Sequence, residues 1–193
     1  MSAAHIRRFA CLTALLPLWG WCAAPVVVAD SIKIGDVVTG PLRIGHRTVV
    51  IPAGDWQVVS AAERPVTAGA VQQGSILTLH FQEIRNSRLV RGLEVAATKT
   101  STNVRWTDEP CKSKGDSFWM EHRRSWIRNN MDDQFCMRVG YLTGVVDNAR
   151  GDAFLAWARD IKAKSIGYSP EAPFVSVTRF TRYDYLRMSV TFD

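Results

Sequence analysis

Hydrophobic and polar residues alternate along much of the chain after residue 30, and this pattern predicts a succession of short β-strands. The alternation is clearest in residues 75–84 and 89–97, which flank an Asn-Ser turn and predict a hairpin. A second hairpin is predicted for residues 174–192. Because the predicted strands follow one another at short spacing, antiparallel pairing is favoured.

Residues 48–60, TVVIPAGDWQVVS, form the stretch around which we expect the sheet to be organised. Two apolar runs flank a Pro-Ala-Gly-Asp turn, which is typical of a tight strand-turn-strand unit. Trp56 opens the second run, and we expect it to be a buried anchor under the neighbouring strand. The stretch therefore predicts architecture and assigns no activity.

In two stretches the spacing of apolar residues changes from every second residue to about every 3.6 residues, which indicates amphipathic helices. In residues 117–130 the side chains that recur on one side are Trp119, Met120, Arg123, Trp126 and Ile127. In residues 153–164 the apolar stripe consists of Phe154, Trp157, Ala158 and Ile161. The predicted fold class is therefore α+β: an antiparallel sheet built from hairpins, with two short helices packed on it, in a single domain.

The N-terminal segment has the pattern of a signal peptide. Arg7 and Arg8 form a basic start, an uncharged stretch follows, and Ala29 ends a run of compact residues where signal peptidase would cut. We therefore predict a signal peptide at residues 1–29 and an exported domain at residues 30–193, with a periplasmic or cell-envelope location. An uncleaved membrane anchor is the alternative, because about 20 apolar residues can span a bilayer.

The predicted exported domain is weakly basic. The whole chain has 24 Lys and Arg and 18 Asp and Glu residues. Two of the basic residues lie in the predicted signal peptide, so the domain keeps a net charge of about +4. Its arginines are spread along the chain, and no nucleic-acid partner is predicted. Membrane contact is expected only through an N-terminal segment that is not cleaved.

Cysteine usage predicts one disulfide. Cys11 and Cys22 lie in the predicted signal peptide, which leaves Cys111 and Cys136 in the exported domain. An even pair in an exported chain is usually oxidised, so we predict a bond between them. The chain has no CxxC motif and no second Cys or His pair at metal-ligand spacing, so neither a metal nor a cofactor is predicted.

Candidate catalytic residues are few, and none is assigned. The histidines of the exported domain, none of which lies beside a nucleophile motif, are His46, His80 and His122. His80 lies on the more polar side of its strand and is expected to be an exposed cross-strand residue; a catalytic triad would have to assemble in space. A denser group that could serve acid-base chemistry or bind a hard cation consists of Glu121, His122, Asp132 and Asp133. Local salt bridges to neighbouring arginines are the simpler interpretation of that group.

Aromatic and arginine residues recur around the last predicted turn. Tyr and Arg are enriched at binding hot spots, and aromatic residues at hairpin turns are often exposed. The candidate binding surface consists of Arg179, Arg182, Tyr183, Tyr185 and Arg187.

The sequence Ile51-Pro52-Ala53-Gly54-Asp55-Trp56 resembles the (I/L)PxGxW hairpin of mostly uncharacterised exported proteins of Gram-negative bacteria. The resemblance covers six residues of 193, implies a cell-envelope setting and transfers no catalytic residue. The predicted function is a non-enzymatic periplasmic or cell-envelope protein that binds a partner or surface. The alternative is an envelope hydrolase or metal-dependent enzyme centred on Glu121, His122, Asp132 and Asp133.

Overall fold

Long antiparallel strands dominate the computed structural model of the protein, which describes residues 26–102, 111, 117–125, 130–150, 152–181 and 183–193. The strands found in these ranges are β1 (Val27–Val28), β2 (Val37–Val38), β3 (Leu42–Ile44), β4 (Arg47–Val49), β5 (Trp56–Ala68), β6 (Val71–Arg85), β7 (Arg88–Thr100), β8 (Ser117–Ser125), β9 (Asn130–Thr143), β10 (Glu171–Thr181) and β11 (Tyr185–Phe192). Helix α1 (Asp152–Ala163) follows β9 in the chain.

Eight strands form one antiparallel sheet in the order β2-β5-β6-β7-β11-β10-β9-β8. The other three form a small sheet in the order β1-β3-β4, in which β1 and β3 are parallel. The predicted α+β fold with two packed helices is therefore wrong, because the described residues form a mostly β structure with one α-helix. Nowhere in the described ranges is a helix long and apolar enough to cross a membrane.

The first predicted helix accounts for this error. Residues 117–125 form strand β8, and residues 126–129 of the prediction lie outside the described residues. β8 pairs with β9 from Ser117 opposite Gly140 to Ser125 opposite Asn130, which satisfies main-chain groups along its length. The second predicted helix is confirmed, since α1 buries the expected stripe through Ala158 and Ile161.

Both predicted hairpins are confirmed. β6 and β7 are joined by Asn86 and Ser87, whose φ angles are 49° and 57°. Two successive positive φ angles are typical of the type I′ turn, whose twist matches that of the strands it joins. β10 and β11 pair from Phe174 opposite Thr191 to Phe180 opposite Tyr185.

The predicted disulfide is compatible with the geometry of Cys111 and Cys136. Their sulfur atoms lie 2.15 Å apart and their Cα atoms 5.7 Å apart. Both residues are buried, in a cluster with Ile76, Ala96 and Phe180 of the large sheet. A bond between them would tie the chain at Cys111 to β9, the strand next to one edge of that sheet.

The two faces of the large sheet differ in character. One face is apolar and packs on the small sheet, in a core that includes Val58, Leu79, Phe81, Leu93 and Val95 from the large sheet and Leu42, Ile44 and Val49 from the small one. The opposite face, which we call the polar face, is defined by a row of cross-strand neighbours: Ser60, His80, Glu94, Ser189, Ser176 and Arg138. Helix α1 packs on the polar face, where Trp157 Nε1 donates to Gln82 Oε1 at 2.7 Å.

Residues 48–60 form a strand-turn-strand unit but not a hairpin, because β4 pairs with β3 whereas β5 pairs with β2 and β6. The turn between them carries the chain from the small sheet to the large one. Trp56 is 0% exposed, and its Nε1 donates to the Pro52 carbonyl at 2.7 Å. The expected anchor is thus buried, and it stabilises the junction of two sheets.

Strand β1 falls inside the predicted signal peptide, whose residues 1–25 lie outside the described ranges. Val27 N–H donates to the Pro41 carbonyl at 2.9 Å, and Ala29 is buried in the apolar core. We therefore expect a chain that starts at Asp30 to have a free energy of unfolding about 2 kcal/mol lower than one that starts at Val26. Urea titration of the two purified chains checks this expectation.

A chain that starts at Ala24 is the control and should match the one that starts at Val26. If the N-terminal segment is cleaved on export, the mass of the recovered protein identifies the cleavage site. Equal stability of the chains starting at Val26 and Asp30 would show that β1 does not contribute to folding.

Candidate functional site

A cavity of about 180 Å³ lies between helix α1 and the polar face. Its apolar lining includes Leu89, Leu142, Val145, Phe154 and Trp157. Its polar lining consists of His80, Glu94, Arg187, Ser189 and Thr191. An apolar wall with a few convergent polar groups is the usual composition of a small-molecule site, so this cavity is the candidate functional site.

Three adjacent strands place Ser60, His80 and Glu94 in a chain of contacts beside the cavity. The Ser60 hydroxyl oxygen lies 2.7 Å from His80 Nδ1, and His80 Nε2 lies 3.5 Å from Glu94 Oε2. Phe154 of α1 stands edge-on to the imidazole, with 4.5 Å between ring centroids. The His80 ring is therefore held at both nitrogens and packed from the helix side. Its side chain is 17% exposed, less than the sequence pattern suggests.

Glu94 is the negatively charged group of the cavity lining. Its carboxylate lies 3.4 Å from Arg187 Nε, and its side chain is 27% exposed. Burial acts to raise the pKa of Glu94, but the His80 contact and the Arg187 charge outweigh it. The pKa of Glu94 is therefore held below its ordinary value, and the carboxylate is ionised at neutral pH.

Ser60, His80 and Glu94 have the residue types of a hydrolytic triad, but the position of Ser60 does not suit nucleophilic attack. Ser60 is 2% exposed and is not part of the cavity lining. A nucleophilic hydroxyl must reach the carbonyl carbon of its substrate. The three residues therefore act as a positioning chain that fixes the His80 ring and orients the Glu94 carboxylate.

The other two histidines of the domain lie in separate contacts. His46 Nε2 lies 3.3 Å from Asp184 Oδ1. His122 Nε2 lies 2.9 Å from Gln134 Oε1. Neither histidine is part of the cavity lining.

The structure does not bring the predicted acid-base group together. Glu121 and His122 are consecutive on β8 and point to opposite faces of the sheet. The Glu121 carboxylate contacts Arg123. Asp133 Oδ1 lies 3.4 Å from the Nε atom of an arginine on β10, and the side chain of Asp132 lies outside the described residues. In the described part of the chain, no three His, Cys, Asp or Glu side chains form a group that could hold a metal ion.

The predicted binding surface is divided between the two faces of the large sheet. Arg179 lies opposite Leu186, on the side that carries the apolar core, and pairs with Asp133. Tyr185 and Arg187 project from the polar face, where Tyr185 is buried at 8% exposure. Tyr183 is exposed at the turn, and Arg182 lies outside the described residues. Of the four members that the structure describes, Arg187 is the one that lines the cavity.

Sequence reasoning did not identify Ser60 and Glu94 as neighbours of His80. The available signal is that these residues occupy polar positions in strands that otherwise carry apolar side chains. Such positions mark a polar face, but their alignment depends on the pairing of three separate strands.

The resemblance of residues 51–56 to the hairpin of exported proteins stays a prediction. Comparison of the chain with protein-family models, with curated proteins and with solved structures finds no match in any of the three.

Proposed function

We propose that the protein is a non-enzymatic binding protein of the cell envelope that takes a small amphipathic molecule into the cavity between α1 and the polar face. The observation that carries the proposal is the composition of the lining, in which Phe154 and Trp157 face His80, Glu94 and Arg187. Such a lining suits a ligand with an apolar body and one polar end.

The size of the cavity limits the ligand. An apolar cavity of about 150 Å³ engineered in another protein binds benzene. A cavity of about 180 Å³ therefore suits a ligand that consists of one substituted ring or an aliphatic chain of similar volume.

Two features support the cell-envelope part of the proposal. Disulfides persist in oxidising compartments, and Cys111 and Cys136 have the geometry of such a bond. The basic and then uncharged N-terminal sequence has the pattern of a signal for export.

The alternative function, an enzyme centred on Glu121, His122 and Asp133, has less support. Glu121 contacts Arg123, His122 contacts Gln134 and Asp133 contacts Arg179. These are salt bridges and hydrogen bonds of the kind found on ordinary protein surfaces. If the alternative holds, replacing His122 and Asp133 by alanine should abolish an activity while the fold is kept.

Binding of a neutral ring compound tests the proposed site. We expect isothermal titration calorimetry to detect benzyl alcohol binding to the exported domain, and Val145→Phe to remove that binding because the new ring occupies the cavity. Val50→Phe is the matched control, since Val50 is 72% exposed and lies outside the cavity lining.

Thermal unfolding of each variant establishes that it is folded. If Val145→Phe does not fold, Leu142→Phe serves as a second cavity-filling variant. Binding that is equal in the unsubstituted protein and in a folded cavity-filled variant would place the ligand elsewhere and overturn the proposal.

A further inference from the structure

One arginine and one glutamate line the polar end of the cavity, and two further arginines lie on the polar face of the large sheet. Arg187 lines the cavity, and Arg64 on β5 and Arg138 on β9 act on the same region of the polar face. Burial, followed by the charge of Arg187, lowers the pKa of Arg138, and the charge of Arg64 helps to lower the pKa of Glu94. Arg187 and Arg64 therefore act on the Glu94 carboxylate, and Arg187 also acts on Arg138. Helix α1 adds Phe154 and Trp157 to the lining and no charged group.

We propose that the ligand is a small organic monoanion with a carboxylate group, which binds the Arg187 guanidinium while its apolar body packs against Phe154 and Trp157. The inference rests on the proposed function, because it takes the same cavity as the binding site. It adds the chemical class of the ligand and the residue that selects it.

The Arg187 side chain is placed to bind the carboxylate group of the ligand. The side chain is 44% exposed, its Nε lies 3.4 Å from a Glu94 carboxylate oxygen, and it also forms a side-chain hydrogen bond with Tyr185. A guanidinium has five N–H donors in a planar fork, which matches the two oxygens of a carboxylate. The hydroxyl groups of Ser189 and Thr191, which follow on the same side of β11, lie in the same lining and supply further donors.

The Glu94 carboxylate is poorly placed to bind a cationic ligand. It is less exposed than Arg187, and both of its carboxylate oxygens already have a partner, one in Arg187 and one in His80. A ligand ammonium group would also meet the repulsion of Arg187 across a short distance. The contacts and exposure of the two charged lining residues therefore favour an anion.

Three ring compounds of nearly equal size test the inference: benzoate, benzyl alcohol and benzylamine. We expect calorimetry on the exported domain to give the tightest binding for benzoate, by about tenfold or more over benzyl alcohol, and the weakest for benzylamine. Arg187→Gln should weaken benzoate binding by about tenfold and benzyl alcohol binding by much less, because only benzoate carries the charge that Arg187 neutralises. Arg43→Gln, on an exposed position of the small sheet, is the matched control and should change neither.

Glu94→Gln should act in the opposite direction and tighten benzoate binding, because it removes the carboxylate that competes for Arg187. A protein that binds benzyl alcohol as tightly as benzoate, or a folded Arg187→Gln variant with unchanged benzoate affinity, would overturn the inference and leave the cavity as a neutral binding site. If benzoate and benzyl alcohol both bind equally well to the folded Val145→Phe variant, the proposed function itself fails.

Discussion

Replacing Trp56 by alanine is expected to lower the free energy of unfolding by about 3 to 5 kcal/mol, one of the two largest effects that we predict. Trp56 is fully buried at the start of β5, in the core shared by the two sheets. The substitution leaves a cavity that surrounding side chains cannot fill without moving, which adds to the lost transfer free energy.

The polar contacts of Trp56 increase the loss of stability that we expect for Trp56→Ala. Its Nε1 hydrogen bond to Pro52 fixes the turn between the sheets, and the Arg91 guanidinium lies 4.8 Å from the centre of its ring. Arg91 in turn contacts the carboxylate of Glu83, which is 3% exposed. Burial acts to raise the pKa of Glu83, but the hydrogen bonds and charges of Arg91 and Arg85 lower it overall. Loss of the indole therefore disturbs a buried charged group as well as the core.

Urea titration followed by circular dichroism measures the effect, with Trp119→Ala as the matched control. Trp119 lies on β8 and is 39% exposed, so its removal should cost no more than about 1 kcal/mol. A loss below about 1 kcal/mol for Trp56→Ala would contradict the view that this residue joins the two sheets.

Strands in which apolar and polar residues alternate, and which are joined by a short turn, could be predicted from the sequence because the alternation and the turn residues are local signals. In β6 and β7, the alternation and a two-residue turn predict that the two strands form a hairpin, and Asn and Ser tolerate the positive φ angles that the turn requires. Helix α1 was predictable for the same reason, since its stripe of apolar residues suits a helix that buries one side.

Strand β8 could not be predicted in this way, because it lies at an edge of the large sheet. Phe118 and Trp119 are both exposed although they are adjacent, so the strand does not show the alternation of a half-buried strand. A register shift between Ser117 and Trp119 disturbs the pattern further. The aromatic residues then fall by chance at helical spacing, and the pairing with β9 decides the structure.

The contact between His80 and Glu94 depends on a feature that the sequence does not reveal. The turn at Asn86 and Ser87 places Arg85 opposite Arg88, and continuing that register would place His80 opposite Leu93. A β-bulge between Glu83 and Ile84 shifts the pairing by one residue, so that His80 meets Glu94. The polar lining of the cavity follows from this shift, which explains why alternation alone did not identify the site.

Removing the disulfide is the second change with a large expected effect. We expect the double substitution Cys111→Ala and Cys136→Ala to lower the free energy of unfolding by about 3 to 4 kcal/mol, since the bond closes a loop of 25 residues in the unfolded chain. Such a loss is a large share of the stability of an ordinary domain. Both cysteines are buried against Ile76, Ala96 and Phe180, so the native structure also loses packing.

Chemical reduction separates the bond from the packing, because it keeps both sulfur atoms in place. The mass of a chain that starts at Val26 should rise by about 2 Da on reduction, and the reduced protein should unfold at a lower urea concentration than the oxidised one. An unchanged mass would mean that the two cysteines are free thiols. An unchanged unfolding midpoint after confirmed reduction would mean that the bond adds no stability, and Cys111 would then be held on the large sheet by its packing contacts alone.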